Sequence, residues 1–115
     1  MLKCISRDAL KKMIGKNEIF ILVDVLSPES YEKEHIPGAI NIPLEDIKMK
    51  SKELLKKDKK IVVYCGSFQC TMSLQAAEIL TKLGCKDVWC FEGGLKYWKD
   101  AEFPIECSKY AEAVG

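Results

Sequence analysis

The sequence has no long hydrophobic run, almost no net charge and a single histidine, and each shortage closes off a class of function. The longest apolar run, Ile19 to Val23, is far too short to cross a bilayer, which takes about 20 residues. Lysine and arginine number 18 against 17 acidic residues, so no global field attracts nucleic acid or a membrane surface. Neither is expected as a partner. The stretch from Met1 to Lys16 mixes Lys3, Arg7, Asp8, Lys11 and Lys12 among its apolar residues and offers no continuous apolar core for a secretion signal, so a cytoplasmic protein is expected. The one histidine, His35, stands in His35-Ile36-Pro37-Gly38 and reads as a turn residue rather than a general base.

What is present is enough for a core. The chain has 115 residues, 48% of them apolar, and reads as one domain over 1–115. Its six cysteines could form a disulfide scaffold, but such scaffolds accompany a poor core and a targeting signal. Thiol chemistry in a reducing compartment fits better. The spacing of Cys65 to Cys70 and of Cys85 to Cys90 invites a zinc site. The helix expected between the pairs rises about 1.5 Å per residue and carries the chain to the other end of the fold, so neither metal nor cofactor is expected.

Ser6 is placed to cap a helix running to about Ile14, with Gly15 and Asn17 ending it. Ile19 to Val23 is a β-rich run suited to a strand covered on both faces. Ser27-Pro28-Glu29 opens a short helix to about Glu34, Ala39 to Ile42 forms a short strand, and Leu44 to Lys57 makes one or two lysine-rich helices. Ile61 to Tyr64 is a second buried strand. After the loop from Cys65 to Cys70, a helix presents Ala76, Ile79, Leu80 and Leu83 on one face and stops at Gly84. Val88 to Phe91 is a further strand, and Gly93-Gly94 turns into a last helix bearing Leu95 and Trp98. This alternation predicts an α/β fold, a mostly parallel central sheet with helices on both faces. Ligands of such folds bind outside the carboxyl ends of the strands, where Cys65 falls.

A thiol attacks as thiolate, and successive backbone N–H groups at a helix start stabilise negative charge. Cys65 has that setting: Gly66, Ser67, Phe68, Gln69 and Thr71 form a loop able to hold an oxyanion or a persulfide, and Thr71 or Ser73 stands where the helix needs a cap. Gly66 is expected to permit a tight bend. Taken alone, the pattern suits a buried structural cysteine equally well. Cys70 is a possible second thiol, a resolving partner for an oxidised Cys65 or a small residue packed beneath the helix start.

Leu22-Val23-Asp24-Val25, then Glu29 and Tyr31, then His35-Ile36-Pro37-Gly38-Ala39-Ile40-Asn41-Ile42-Pro43, resemble the first signature stretch of the rhodanese family. Ile61-Val62-Val63-Tyr64-Cys65, Ala76-Ala77 with Leu80 and Gly84, and Val88 with Glu92-Gly93-Gly94 and Trp98 resemble its second half. The resemblance runs from about Ile5 to Ile105 and implies a single rhodanese-like domain. It further implies a sulfurtransferase in which Cys65 accepts a sulfane sulfur, becomes a persulfide and passes the sulfur to a nucleophile. Asp24, by the same resemblance, supports the active loop by hydrogen bonding.

The chain departs from the family pattern in that loop. Counting back from Ala76-Ala77, the family's serine falls at Ser73 and its arginine at Met72, so the loop is about two residues longer than usual. No arginine or lysine occurs from Cys65 through Thr81, and Leu26 replaces the arginine common after the first aspartate-valine pair. Without bidentate cations, thiosulfate is a poor fit and a polysulfide or protein persulfide is the better donor, with a thiol or other thiophilic acceptor. Phosphatase chemistry on a similar loop would need the missing arginine. The reading from another class is a redox-sensing or non-catalytic interaction module built on the Cys65/Cys70 thiol pair.

Overall fold

The computed structural model describes residues 3–54 and 58–108. Five strands, β1 (Lys3–Cys4), β2 (Ile21–Asp24), β3 (Ile40–Asn41), β4 (Lys60–Tyr64) and β5 (Asp87–Phe91), form one sheet in the order β1-β5-β4-β2-β3. Every pairing is parallel. The helices are α1 (Arg7–Gly15), α2 (Pro28–Lys33), α3 (Ile47–Leu54), α4 (Met72–Lys82) and α5 (Gly94–Asp100), with one 3-10 turn at Leu44–Asp46. A parallel sheet needs a crossover between strands, and helical crossovers cover both of its faces.

Strand alternation divides the core in two. Ile61 and Val63 of β4 join Val23, Val88 and Cys90 against Ile47 of α3 and Ala76, Ala77 and Leu80 of α4. Val62 and Tyr64 turn the other way, joining Leu22 and Phe91 against Leu10 and Met13 of α1 and Trp98 of α5. Both β4 faces are buried, so the strand reads as an unbroken apolar run. The alanine pair lets α4 lie close to the sheet, and the helix ends at Gly84, whose φ of 99° suits glycine. Trp98 is fully buried and donates its indole N–H to the Pro104 carbonyl at 2.7 Å.

Local signals held where the chain carries its own caps. The Ser6 hydroxyl accepts from the Ala9 amide and the Ser27 hydroxyl from the Ser30 amide, with Pro28 in the first turn. They failed where pairing decides the boundary. Strand β2 begins at Ile21, which pairs with Ile61, leaving Ile19 outside the sheet and 84% exposed. Strand β1 has only two residues and is held by pairing with Trp89 and Cys90, a contact no local pattern announces. The expected helices over Leu44 to Lys57 resolve into the 3-10 turn and α3, with residues 55–57 outside the described ones. Ser73 is no cap: it lies inside α4 and is buried.

Candidate active site

The loop 65–71 leaves the carboxyl end of β4, next to the carboxyl ends of β2 and β5, and enters α4 at Met72. Its first half is clamped by α5. The Leu95 amide donates to the Cys65 carbonyl and the Lys96 amide to the Gly66 carbonyl, both at 2.9 Å. Gly94, at φ 66°, lies so near that a Cβ there would come within 2.4 Å of the Cys65 carbonyl oxygen. Tight approach therefore belongs to Gly94. Gly66 has no positive φ and open space around its Cβ position, so the expected special bend at Gly66 is not what shapes this loop.

The Cys65 side chain points inward and is fully buried. Its thiol donates to the Cys70 carbonyl at 3.3 Å, and the Ser73 hydroxyl stands 3.4 Å from the same sulfur. From β5 the Cys90 thiol also reaches the Ser73 hydroxyl, at 3.3 Å, so one oxygen bridges two buried thiols. Burial pushes the Cys65 thiol up, its contact with the Cys70 thiol adds to this, and hydrogen bonding to Ser73 offsets only part. Burial likewise pushes Cys90 up, to about 11.

Cys70 is placed differently. The turn closed by its own amide on the Ser67 carbonyl, at 3.1 Å, sets it half-buried at the end of the loop. Burial pushes its thiol up, but hydrogen bonds from the Cys65 thiol and from the Met72 and Gly66 amides outweigh that and bring it below the ordinary thiol value. The Ser73 amide acts the same way on Cys65, where burial outweighs it, so the two thiols shift in opposite senses. The reason is direction: β4 ends with Cys65 facing the α4 side of the sheet, and the chain must curl before its N–H groups converge.

The remaining loop residues sit on the outer surface. The Ser67 hydroxyl donates to the Gln69 side-chain oxygen at 3.1 Å, and the Thr71 hydroxyl accepts from the Gln75 amide nitrogen at 3.1 Å. Phe68 is 61% exposed and meets Tyr97 with ring centroids 5.0 Å apart. Ser67, Phe68, Gln69 and Tyr97 help line a shallow cavity of about 170 Å³ whose far wall is Gly93, Lys96 and Asp100. Two lysines of α5 pair with carboxylates: Lys96 faces Asp100 at 3.5 Å and Lys99 faces Glu34 at 2.6 Å.

Asp24 supports the loop through the sheet, not by the direct hydrogen bond expected of it. Its Oδ1 accepts from the Leu26 amide at 2.9 Å, while its Oδ2 is buried with no partner. The link to the site is through the main chain, where the Val25 amide donates to the Tyr64 carbonyl just before Cys65. Burial pushes the Asp24 carboxyl up, offset in part by the Leu26 amide and the neighbouring Tyr64 hydroxyl. His35 lies away from the loop, its ring stacked on Tyr31 at 3.8 Å and facing Glu106 at 3.4 Å. Ser73, Cys90 and Gly94 complete the site. Sequence reasoning had them only as a cap, a strand residue and a turn, and the one signal for Ser73 was its match to the family's serine.

The parallel sheet with helices on both faces, and a cysteine loop after its central strand, define an α/β domain of the rhodanese type. Residues 6–101 match the Rhodanese-like domain family, and the chain belongs to that family. It is 39% identical over 77 residues to the uncharacterised protein YqhL of Bacillus subtilis, covering 67% of this chain and 59% of that protein. It is 35% identical over 94 residues to the putative sulfur carrier protein YrkF of the same organism, covering 82% of this chain and 49% of that protein. The chain thus spans about half the length of these two relatives. With the thiosulfate sulfurtransferase GlpE of Coxiella burnetii it shares 32% identity over 99 residues, covering 86% of this chain and 89% of that one. The solution structure of the rhodanese-like domain of Anabaena Alr3790 superposes with a TM-score of 0.83 at 30% identity, covering 93% of this chain and 80% of that one.

Proposed function

We propose that this domain is a sulfurtransferase or sulfur carrier that moves a sulfane sulfur as a persulfide held in the loop 65–71. The observation that supports this most directly is the buried Cys65 thiol, hydrogen-bonded to the Cys70 carbonyl at 3.3 Å, with the half-buried Cys70 in the same loop. Cys65 stands at the family's position for the persulfide carrier, and Cys70 is the added thiol. The names of GlpE as a thiosulfate sulfurtransferase and of YrkF as a putative sulfur carrier agree with sulfur transfer.

The donor is a polysulfide or a persulfide on a thiol or protein. A dianion such as thiosulfate is best held by cations within the loop, and residues 65–81 contain no arginine or lysine. The acceptor is a thiol or another thiophilic group. Six cysteines in a chain with this much apolar core suit thiol chemistry in a reducing compartment, and the cytoplasm is the compartment proposed. Among the described residues no helix is long and apolar enough to cross a membrane.

Intact mass spectrometry of the reduced protein after exposure to polysulfide, a low-molecular-weight persulfide and thiosulfate tests the reading. Sulfur mass or sulfur-dependent thiol oxidation is expected with the first two, and little with thiosulfate. A folded, reduced protein inert to every donor would falsify it.

A further inference from the structure

Resting on the sulfur-transfer reading, we infer that Cys70 is the thiol that first takes the sulfane sulfur and that the buried Cys65 resolves it, releasing hydrosulfide and closing a Cys65–Cys70 disulfide. This reverses the order that the family position of Cys65 implies.

Access argues for it. A donor persulfide must reach the attacking sulfur along the line of its own S–S bond, and Cys65 is fully buried with its thiol turned toward Cys70 and Ser73. The clamp by Leu95 and Lys96, with Gly94 against the Cys65 carbonyl, holds that residue where it is. Cys70 is half-buried, beside the outer part of the loop that carries Phe68 and Gln69. Its thiol is also brought below the ordinary thiol value, with the Cys65 thiol and the Met72 and Gly66 amides as the causes, which favours Cys70 as the attacking thiolate.

The chemistry balances without another oxidant. Cys70 thiolate attacks the sulfane sulfur of a donor R–S–S⁻, the donor S–S bond breaks, and RS⁻ leaves with the electron pair. Cys70 then carries the persulfide. The Cys65 sulfur next attacks Cys70 Sγ, the new S–S bond forms, and the bond to the terminal sulfur breaks, so that sulfur departs as hydrosulfide and takes up the Cys65 proton. Sulfane sulfur is reduced to sulfide and two cysteine sulfurs are oxidised to a disulfide. An external thiol pair restores the dithiol. An acceptor arriving before Cys65 attacks takes the terminal sulfur instead, so Cys65 sets how long the carrier stays loaded.

The experiment is time-resolved mass spectrometry of wild type, Cys65→Ala, Cys65→Ser and Cys70→Ser with inorganic polysulfide, with hydrosulfide measured alongside. Wild type is expected to lose two hydrogens in mass and release one hydrosulfide per chain. Both Cys65 variants should hold one added sulfur on Cys70 and release none, and Cys70→Ser should lose uptake. Fragmentation of wild type quenched at early times places the first sulfur without any variant, and circular dichroism checks that each variant is folded. First sulfur on Cys65, with Cys70→Ser loading at the wild-type rate, overturns the assignment while leaving sulfur transfer standing. Stable loading of wild type with no disulfide overturns the resolving role. No reaction in any chain, the folded wild type included, removes the sulfur-transfer reading and this one with it.

Discussion

Gly94 and Cys65 touch through their backbones: a Cβ on Gly94 would lie 2.4 Å from the Cys65 carbonyl oxygen and 2.8 Å from the Gly66 carbonyl carbon. Helix α5 thereby sets the position of a loop nearly thirty residues earlier. Gly94→Ala adds a side chain at φ 66°, costing about 1–2 kcal/mol in backbone strain, and pushes α5 off the loop. We expect a fall in melting temperature together with faster alkylation of Cys65. Gly66→Ala, where the added methyl meets open space, should stay within about 0.5 kcal/mol of wild type. Equal destabilisation by the two substitutions would contradict the clamp.

Cys70 should be the fast thiol. Its lowered pKa keeps thiolate present at a pH where an ordinary cysteine, near about 8.5, is still protonated. Its alkylation rate should therefore rise with pH and level off below the ordinary thiol range, while Cys65, raised by burial, lags throughout. Cys65→Ala removes one of the hydrogen bonds to Cys70 and should move that profile to higher pH. Iodoacetamide trapping with peptide mass mapping reads both thiols at once.

Asp24 makes stability depend on pH. Its folded pKa is raised, so the folded state binds this proton more tightly than the unfolded chain does. Stability from this group is present below the unfolded carboxyl range and is lost as pH rises through the folded value. Asp24→Asn keeps an oxygen for the Leu26 amide and removes the buried unpartnered carboxylate oxygen. In urea unfolding, the variant's stability relative to wild type should therefore increase from acid to neutral pH. A constant difference across that range would show that Asp24 is not strained by burial.

Ser73→Ala takes away the oxygen shared by the Cys65 and Cys90 thiols. Two weak bonds are lost in a dry place, and destabilisation of about 1 kcal/mol is expected. The Cys65 pKa should rise further, because the serine is what lowers it. A stopped-flow measurement should find hydrosulfide release slowed more than sulfur uptake.

Phe68→Ala should leave stability within about 0.5 kcal/mol, because the ring is 61% exposed and rests mainly on Tyr97. The loop loses an apolar wall of its cavity, so uptake from bulky thiol persulfides should change more than uptake from inorganic polysulfide. Paired rate measurements with the two donors decide this.

What could be read from residues alone was whatever the chain encodes locally or by periodicity. Ser6 and Ser27 start helices because their hydroxyls satisfy amides three residues on, and β4 announces itself as buried because both its faces are apolar. The signature stretches around His35 and Cys65 pointed to the family without any coordinates. What residues alone left open was direction and pairing. The ends of β2 and the existence of β1 depend on partners far along the chain. Above all, Cys65 and Cys70 are the same residue type in one loop, and nothing in their spacing says which sulfur is dry. The curl of the loop decides, burying Cys65 against α4 and leaving Cys70 half-buried, because exposure is set by which way a side chain faces and not by how many residues separate the two.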